Sequence, residues 1–530
     1  MSRRGAAALT LLLSAPAVRA QDVASLRTAP ERTNYRETTR YAEVVAWMER
    51  IAAASPVIAL DTFGYTVEGR ALPLAIVARG LPNSSAQAVR ASGKTVVYLQ
   101  GNIHAGEVEG KESLLMLLRE LAQGRHQQLL DSLVLLIAPI YNADGNERVR
   151  LTNRGLQHGP IGGMGQRSNA QDYDLNRDHM KLESPEARSL VKMLTRYDPH
   201  VSIDLHTTNG TRHAYYLTYA PPLHPNTAAP ITALLRGDWL PQVTRAIKQK
   251  YDWDYYYYGN VQGQDSARGW YTFDHRPRFN NNYIGLRNRI AILSEAYSYA
   301  PFQDRIAATS RFVDEVLAYA HANAGRIRRV VAEAERVPII GQRLAVRAEI
   351  ARSPQQVEIL IGEVSEERNP YSGATMLRRL DVRRPERMWE YGTFAPSATE
   401  IVPAAYFLLP TTPPQALAQV LARLDAHGIR FTRIAAARSV HAETFRIDST
   451  SVARTEFQGH RERRVDGIWV AGSVTLPEGA VEVSLNQPLG RLAFYLLEPR
   501  SDDGFMNWNF FDNAIESSGT VPIVRVHTRE

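Results

Sequence analysis

The chain has 530 residues, 44% of them hydrophobic and 22% charged, so it is too long for one ordinary core and too mixed for a disordered or fibrous protein. It contains no cysteine, which excludes disulfides, thiolate metal ligands and a cysteine nucleophile. The net charge of +7 is carried by scattered arginines with no basic stripe interleaved with aromatics, which argues against a nucleic-acid partner.

The N-terminus reads as a processing signal. Met1-Ser-Arg3-Arg4 is a short basic start, Gly5 to Val18 is an apolar run, and Val18-Arg-Ala20 places small residues where a signal peptidase reads. The run falls short of the roughly 20 residues needed to span a bilayer, and no later stretch reaches that length without charges. Residues 1–20 are therefore expected to be a signal peptide, with Gln21 as the mature start and no membrane span in the mature chain. Loss of Arg3, Arg4 and Arg19 lowers the net charge from +7 to +4. An exported chain without disulfides fits a bacterial periplasm or the medium.

Residues 21–33 form a short extension. Arg40 to Ser55 has helical periodicity and stops before Pro56. Two apolar runs of strand length, from Val57 and from Leu72, flank the turn Gly64-Tyr-Thr-Val-Glu-Gly69-Arg70 and predict an antiparallel hairpin. Thr95-Val-Val-Tyr-Leu-Gln100 reads as a buried strand stopping at Gly101-Asn102, followed by a helix to about Gly124. His104 and Glu107 lie in the turn between them, where open α/β sheets place their ligands. His-x-x-Glu offers one imidazole nitrogen and one carboxylate. A catalytic zinc needs a third protein ligand and an open position. By itself the pair also suits a polar turn with Glu107 favouring a helix N-terminus.

Leu133 to Tyr141 is a further buried strand, closed by the turn Asn142-Ala-Asp-Gly145. The glycine-rich stretch 159–165 reads as a loop, on the surface or beside a site. Asp174-Leu-Asn176-Arg177-Asp178 leads into a helix from Pro185 to Tyr197. The strand from His200 ends on His206, and the strand from Arg289 ends on Glu295, followed by a helix from about Asp304 to Ala324. Strands alternating with helices predict an α/β fold with a mixed, mostly parallel sheet flanked by helices. Three strand ends that deliver polar groups raise the site reading well above chance.

Past Arg328 the strands become shorter and alternating, with many Pro and Gly turns, one helix from Gln415 to His427 and a strand from Ile429. A boundary near 325–340 is expected, with a catalytic domain at 34–327 and a smaller β-rich domain at 328–530 that binds substrate or braces the first. There is no His-Glu-x-x-His motif, and Gly106 to Glu112 is one residue short of a phosphate loop.

Two histidines and a carboxylate make a zinc set with a vacant position, and a further carboxylate at a strand end suits a general base. Arg167 and Arg177 supply guanidinium donors, and Asn176 an amide, for an oxyanion or a substrate carboxylate. In this order the parts resemble the zinc carboxypeptidases, the carboxypeptidase A-like metallopeptidases. The resemblance runs from a first helix through Gly64 to Arg70, His104/Glu107, Asn142 to Gly145, Asn176-Arg177, His206 and Glu295, over roughly residues 34–325.

What the resemblance implies is one Zn2+ per chain on His104, Glu107 and His206, with Glu295 as general base. Asn176 and Arg177 would bind the terminal carboxylate of a peptide or protein substrate. Arg167 would stabilise the oxyanion, with Arg154 as second choice. Two positions depart from the family: Asn-Arg-Asp-His stands for its usual Asn-Arg-Asn-Phe, and its mobile tyrosine has only Tyr271 as a counterpart. Tyr255 to Tyr258 read as a strand alternating between faces or as a pocket wall. The implied activity is that of an exported metallocarboxypeptidase. The alternatives are a zinc amidase or deacylase on the same scaffold, acting for example on cell-wall peptides, and a non-catalytic binding protein of this fold.

Overall fold

The computed structural model describes residues 23, 25–208, 210–410 and 414–528. The expected signal peptide at 1–20 lies outside the described residues.

The first part is built on strands β1 (Ile58–Tyr65), β2 (Ala71–Val77), β3 (Thr95–Gly101), β4 (Leu133–Ala138), β5 (Val201–Thr207), β6 (Leu217–Ala220), β7 (Tyr255–Tyr257), β8 (Asn260–Gln262), β9 (Gly269–Tyr271) and β10 (Ile290–Ala296). Eight of these form one mixed sheet in the order β1-β2-β4-β3-β5-β10-β6-β7. The central run β4-β3-β5-β10 is parallel, with antiparallel pairs on either side of it. Every residue of β3, β4 and β5 is buried, as continuous apolar runs require when helices cover both faces.

The principal helices are α1 (Tyr41–Ala54), α2 (Glu109–Ala122), α3 (Pro185–Tyr197), α4 (Asn280–Leu286), α5 (Phe302–Ala322) and α6 (Ala324–Arg336). Helix α3 shows why the expected bounds hold. The Ser184 hydroxyl accepts from the Ala187 N–H, Pro185 occupies the first turn, and Asp198 at φ 50 ends the helix in the left-handed region. The single helix expected over 304–324 begins two residues earlier, and α6 follows it directly.

The second part holds β11 (Arg343–Ala351), β12 (Val357–Ile361), β13 (Val364–Arg368), β14 (Thr375–Arg379), β15 (Arg384–Tyr391), β16 (Thr393–Ile401), β17 (Ala405–Leu408), β18 (Thr432–Arg433), β19 (Arg438–Val452), β20 (Arg463–Leu476), β21 (Val481–Ser484) and β22 (Ile523–Val526). With α7 (Pro414–His427) and α8 (Gly490–Leu497) they make a β-rich region of several sheets, the largest ordered β18-β21-β17-β22-β19-β20. The strand expected from Ile429 shrinks to Thr432–Arg433. The residues before it finish α7 instead: Gly428 takes φ 81 and the Ile429 N–H bonds the Leu424 carbonyl at 2.9 Å.

The two parts are interleaved. One apolar core runs from Val23 to Ile523. Strand β9 of the first part pairs in parallel with β15 of the second, Gly269 beside Trp389 and Tyr271 beside Tyr391. Residues 327 and 328 both lie inside α6.

Candidate active site

The site begins at the carboxyl end of β3. Asn102 at φ 66 turns the chain out of the strand, and the Glu107 N–H bonds the His104 carbonyl at 2.9 Å, which puts both side chains on one side of the turn. Gly106 allows this close packing, because a Cβ there would stand 2.8 Å from Arg154 Cδ and from the Gly165 carbonyl oxygen. Gly110 does the same for the start of α2, where a Cβ would meet Leu205 Cβ at 2.6 Å. Glu107 is thereby carried to His206 at the end of β5.

The three side chains converge. His104 Nδ1 lies 3.0 Å from Glu107 Oε1, and His206 Nδ1 lies 2.9 Å from Glu107 Oε2. A set of one donor atom from each lies within 4.8 Å of one another, and all three residues are buried. The opposite ring nitrogens are held by two carboxylates: His104 Nε2 is 3.0 Å from Asp174 Oδ1, and His206 Nε2 is 2.9 Å from Asp204 Oδ2. Each ring thus stands between two carboxylates, and a metal ion held at the Nδ1 atoms would leave the proton on each Nε2, where Asp174 and Asp204 accept it. Lone pairs facing carboxylate oxygens repel unless a proton or a metal ion stands between them. The donor set, two imidazoles and one carboxylate, fits zinc.

Charge follows geometry here. Burial alone would raise the Glu107 carboxyl, but His104 and Arg154 hold it well below the usual range. Burial would likewise raise Asp174, and again His104 beside it holds it well below. Burial works against the His206 imidazolium, which Asp204 and Glu107 nevertheless keep well above its ordinary value.

Glu295 stands opposite His206 in the parallel register of β10 and β5. No hydrogen bond holds its carboxylate among the described residues. Burial pushes it up to about 8, the Glu107 charge adds to the rise, and His206, Arg154 and Arg167 oppose it. A cavity of about 360 Å³ opens over these groups, lined by His104, Glu107, His206, Glu295, Arg167, Asn176 and Arg177 on its polar side. Tyr258, Phe273, Phe279 and Leu293 form the apolar wall. The Asn176 amide oxygen accepts the Asn280 N–H at 2.8 Å, which leaves its NH2 as the donor. The Arg177 guanidinium lies 3.6 Å over the Phe279 ring.

The two candidate arginines differ. Arg154 is committed, donating to Glu107 at 2.9 Å, to Gln157 at 2.8 Å and to the Thr207 carbonyl at 3.0 Å. Arg167 is 44% exposed, bonds Asp174 at 2.8 Å and borders the cavity.

Tyr271 is not on the cavity. It sits in β9, stacked on Tyr391 with ring centroids 4.0 Å apart, so the expected counterpart of the mobile tyrosine is corrected. The tyrosine at the cavity is Tyr258, edge-on to Phe273. Of the four-tyrosine run only this residue reaches it; the Tyr255 hydroxyl bonds the Ala308 carbonyl in the core.

The Asp-His that replaces Asn-Phe after Arg177 turns away from the cavity. Asp178 binds Lys181 at 2.9 Å and the Ser184 N–H at 2.7 Å, while His179 bridges Asn280 and the Arg278 carbonyl. The two turn motifs meet each other, with Arg70 bonding Asp144 at 2.6 Å, and the Asn142 amide holds the Arg167 carbonyl at 3.1 Å. They carry no reacting atom but set where Arg167 stands.

Fold and site together are of the metallocarboxypeptidase class. Residues 44–276 match the family described as zinc carboxypeptidase, a match that stops short of β10 and Glu295. The matched stretch takes in His104, Glu107 and His206. Carboxypeptidase 2 of Trichophyton rubrum is 23% identical over 512 residues, covering 92% of this chain and 86% of that protein. Carboxypeptidase D of Mus musculus is 34% identical over 185 residues, 30% of this chain and 13% of that protein. Among solved structures, a metallo-carboxypeptidase from Burkholderia cenocepacia is 17% identical with a TM-score of 0.40, covering 53% of this chain and 69% of that one. Among the described residues no helix is long and apolar enough to cross a membrane.

Proposed function

We propose that the chain removes C-terminal residues from peptides, with one zinc ion held by His104, Glu107 and His206. The observation that carries this reading is the single cavity that joins the three converging donors, Glu295 and the pair Asn176/Arg177. When bound, zinc supplies Lewis acidity for the scissile carbonyl and lowers the pKa of a coordinated water.

The chain's own residues do the rest. Glu295 takes the proton of the attacking water and hands it to the leaving amine nitrogen. A cation beside it lowers its proton affinity from the raised value set by burial, which puts it in range to do both. Arg167 donates to the carbonyl oxygen as negative charge develops there. Arg177 and Asn176 bind the substrate's free carboxylate, which confines cleavage to the chain end. The walls of Tyr258, Phe273, Phe279 and Leu293 favour bulky apolar terminal residues over basic ones. The signal-like residues 1–20 support export.

The test couples metal content to product analysis. About one zinc per chain, with single-residue losses from free C-termini that a chelator stops, is the expected result. In the same assay Glu295→Gln lowers turnover by about a thousandfold or more while zinc content is unchanged. Cleavage of C-terminally amidated peptides at an equal rate would replace this reading with the amidase or deacylase.

A further inference from the structure

The wall of the cavity that carries Asn176 and Arg177 is not held by the first part of the chain alone. The hairpin β19–β20 of the second part projects its tip, residues 453–462, onto the two loops that form this wall. Gln458, in the tip, holds the first loop at both ends: its Nε2 donates to the Asp174 carbonyl at 3.3 Å and its Oε1 accepts from Lys181 Nζ at 2.8 Å. Asp174 is the residue whose carboxylate holds His104, and it opens the turn that bears Asn176 and Arg177. Lys181, buried, is in turn fixed by Asp178 at 2.9 Å.

The second loop is gripped from the same side. Glu462 accepts from Arg278 at 2.7 Å and pairs with Arg276 at 3.5 Å, and Asp503 binds Arg278 at 2.9 Å. Arg278 precedes Phe279, the ring on which the Arg177 guanidinium rests. Trp508 lies against both loops at once, 5.3 Å from Lys181 and 4.4 Å from the Arg278 guanidinium.

We infer that Gln458 and Glu462 are positioning residues for the substrate's terminal carboxylate: the hairpin tip clamps the Asp174–Lys181 loop against the Asp274–Asn280 loop and so fixes Arg177 on Phe279. The inference rests on the proposed carboxypeptidase reading. Loosening the clamp leaves His206 and Glu295 on their strands and His104 and Glu107 in the turn between β3 and α2, so it costs carboxylate binding more than chemistry. Freedom returned to a clamp arginine raises KM and leaves kcat nearly alone.

The experiment uses full-length protein with Gln458→Leu and Glu462→Gln, each compared with the wild type for zinc content, thermal stability, and kcat and KM on a peptide with a free C-terminus. Binding of N-acetyl-phenylalanine is measured by calorimetry as a carboxylate probe. Each variant is expected to raise KM and the probe's Kd about fivefold or more, with kcat within about twofold and zinc retained. Gln458→Glu, which keeps the acceptor for Lys181 but loses the donor to Asp174, falls between wild type and Gln458→Leu. Variants that cleave and bind like the wild type overturn the clamp and leave the carboxypeptidase reading intact. A drop in kcat, KM unchanged, in proportion to lost folded protein overturns it as well, by making the contacts merely structural. A wild type that neither cleaves nor binds the probe removes the reading beneath the proposal, and the proposal with it.

Discussion

At the scale of single residues, the two metal-site histidines divide their ring nitrogens between a carboxylate and the site. With an ion at the site, Asp204 and Asp174 would accept from each Nε2–H and leave each Nδ1 lone pair to the ion. Asp204→Asn is expected to weaken zinc binding by about 10- to 100-fold, read by competition with a chelator of known affinity. An unchanged affinity would remove the orienting role. His104, Glu107, His206 and Glu295 were legible because each closes a strand or opens the turn after one, and such ends converge in an open sheet. Asp204 was also within reach, since residues two apart on a strand share a face. Asp174 was harder: its carboxylate also caps its own turn, accepting the Asn176 N–H at 2.9 Å, and that local role hides the distant one. Tyr258 lay in a run of four tyrosines, and local pattern does not tell that the one just past the end of β7 is the one that lines the cavity.

At the scale of elements, the site depends on how tightly α2 approaches β5. A methyl group at Gly110 would collide with Leu205 Cβ, inside a stretch where every neighbour is buried. Gly110→Ala should cost about 1–3 kcal/mol of stability in urea denaturation, and lower zinc affinity at the same time because Glu107 moves with the helix. Stability and affinity both at wild-type values would show that the helix adjusts freely. Most elements of the first part were legible from apolar runs and caps, α3 being the clearest. The second part was less so. Its strands are partly exposed, and the apolar Ile429 looked like a strand start although its N–H serves the end of α7. Local pattern does not distinguish those two uses of a buried isoleucine.

At the scale of the whole molecule, buried acids outside the cavity lining make stability depend on pH. Burial pushes Glu498 up to about 7, with Glu400 adding repulsion, while it accepts from Tyr406 at 2.7 Å and Trp469 at 3.0 Å. Unfolded, the same group titrates at about 4.3. The folded chain therefore keeps a proton that the unfolded chain has lost, and this contribution is full below about pH 4 and gone as pH rises through 7. Asp503, pushed up to about 6 by burial, acts in the same sense. Tm should fall between about pH 5 and 7, and Glu498→Gln should flatten that slope. An identical slope in the variant would assign it to other groups.

The pairing of β9 with β15 also sets a clock. Gly269 leaves the ribosome 120 residues before its neighbour Trp389, from 269 to 389. At about 5–20 residues per second, the outer edge of β9 waits roughly 6–24 s for its partner. During that interval the nascent chain offers an open strand edge next to the aromatic Trp270 and Tyr271, the kind of surface that recruits a second copy. Chains interrupted before Arg384 should scatter light on refolding where the full chain stays clear, so the late half of the protein guards the early half against aggregation.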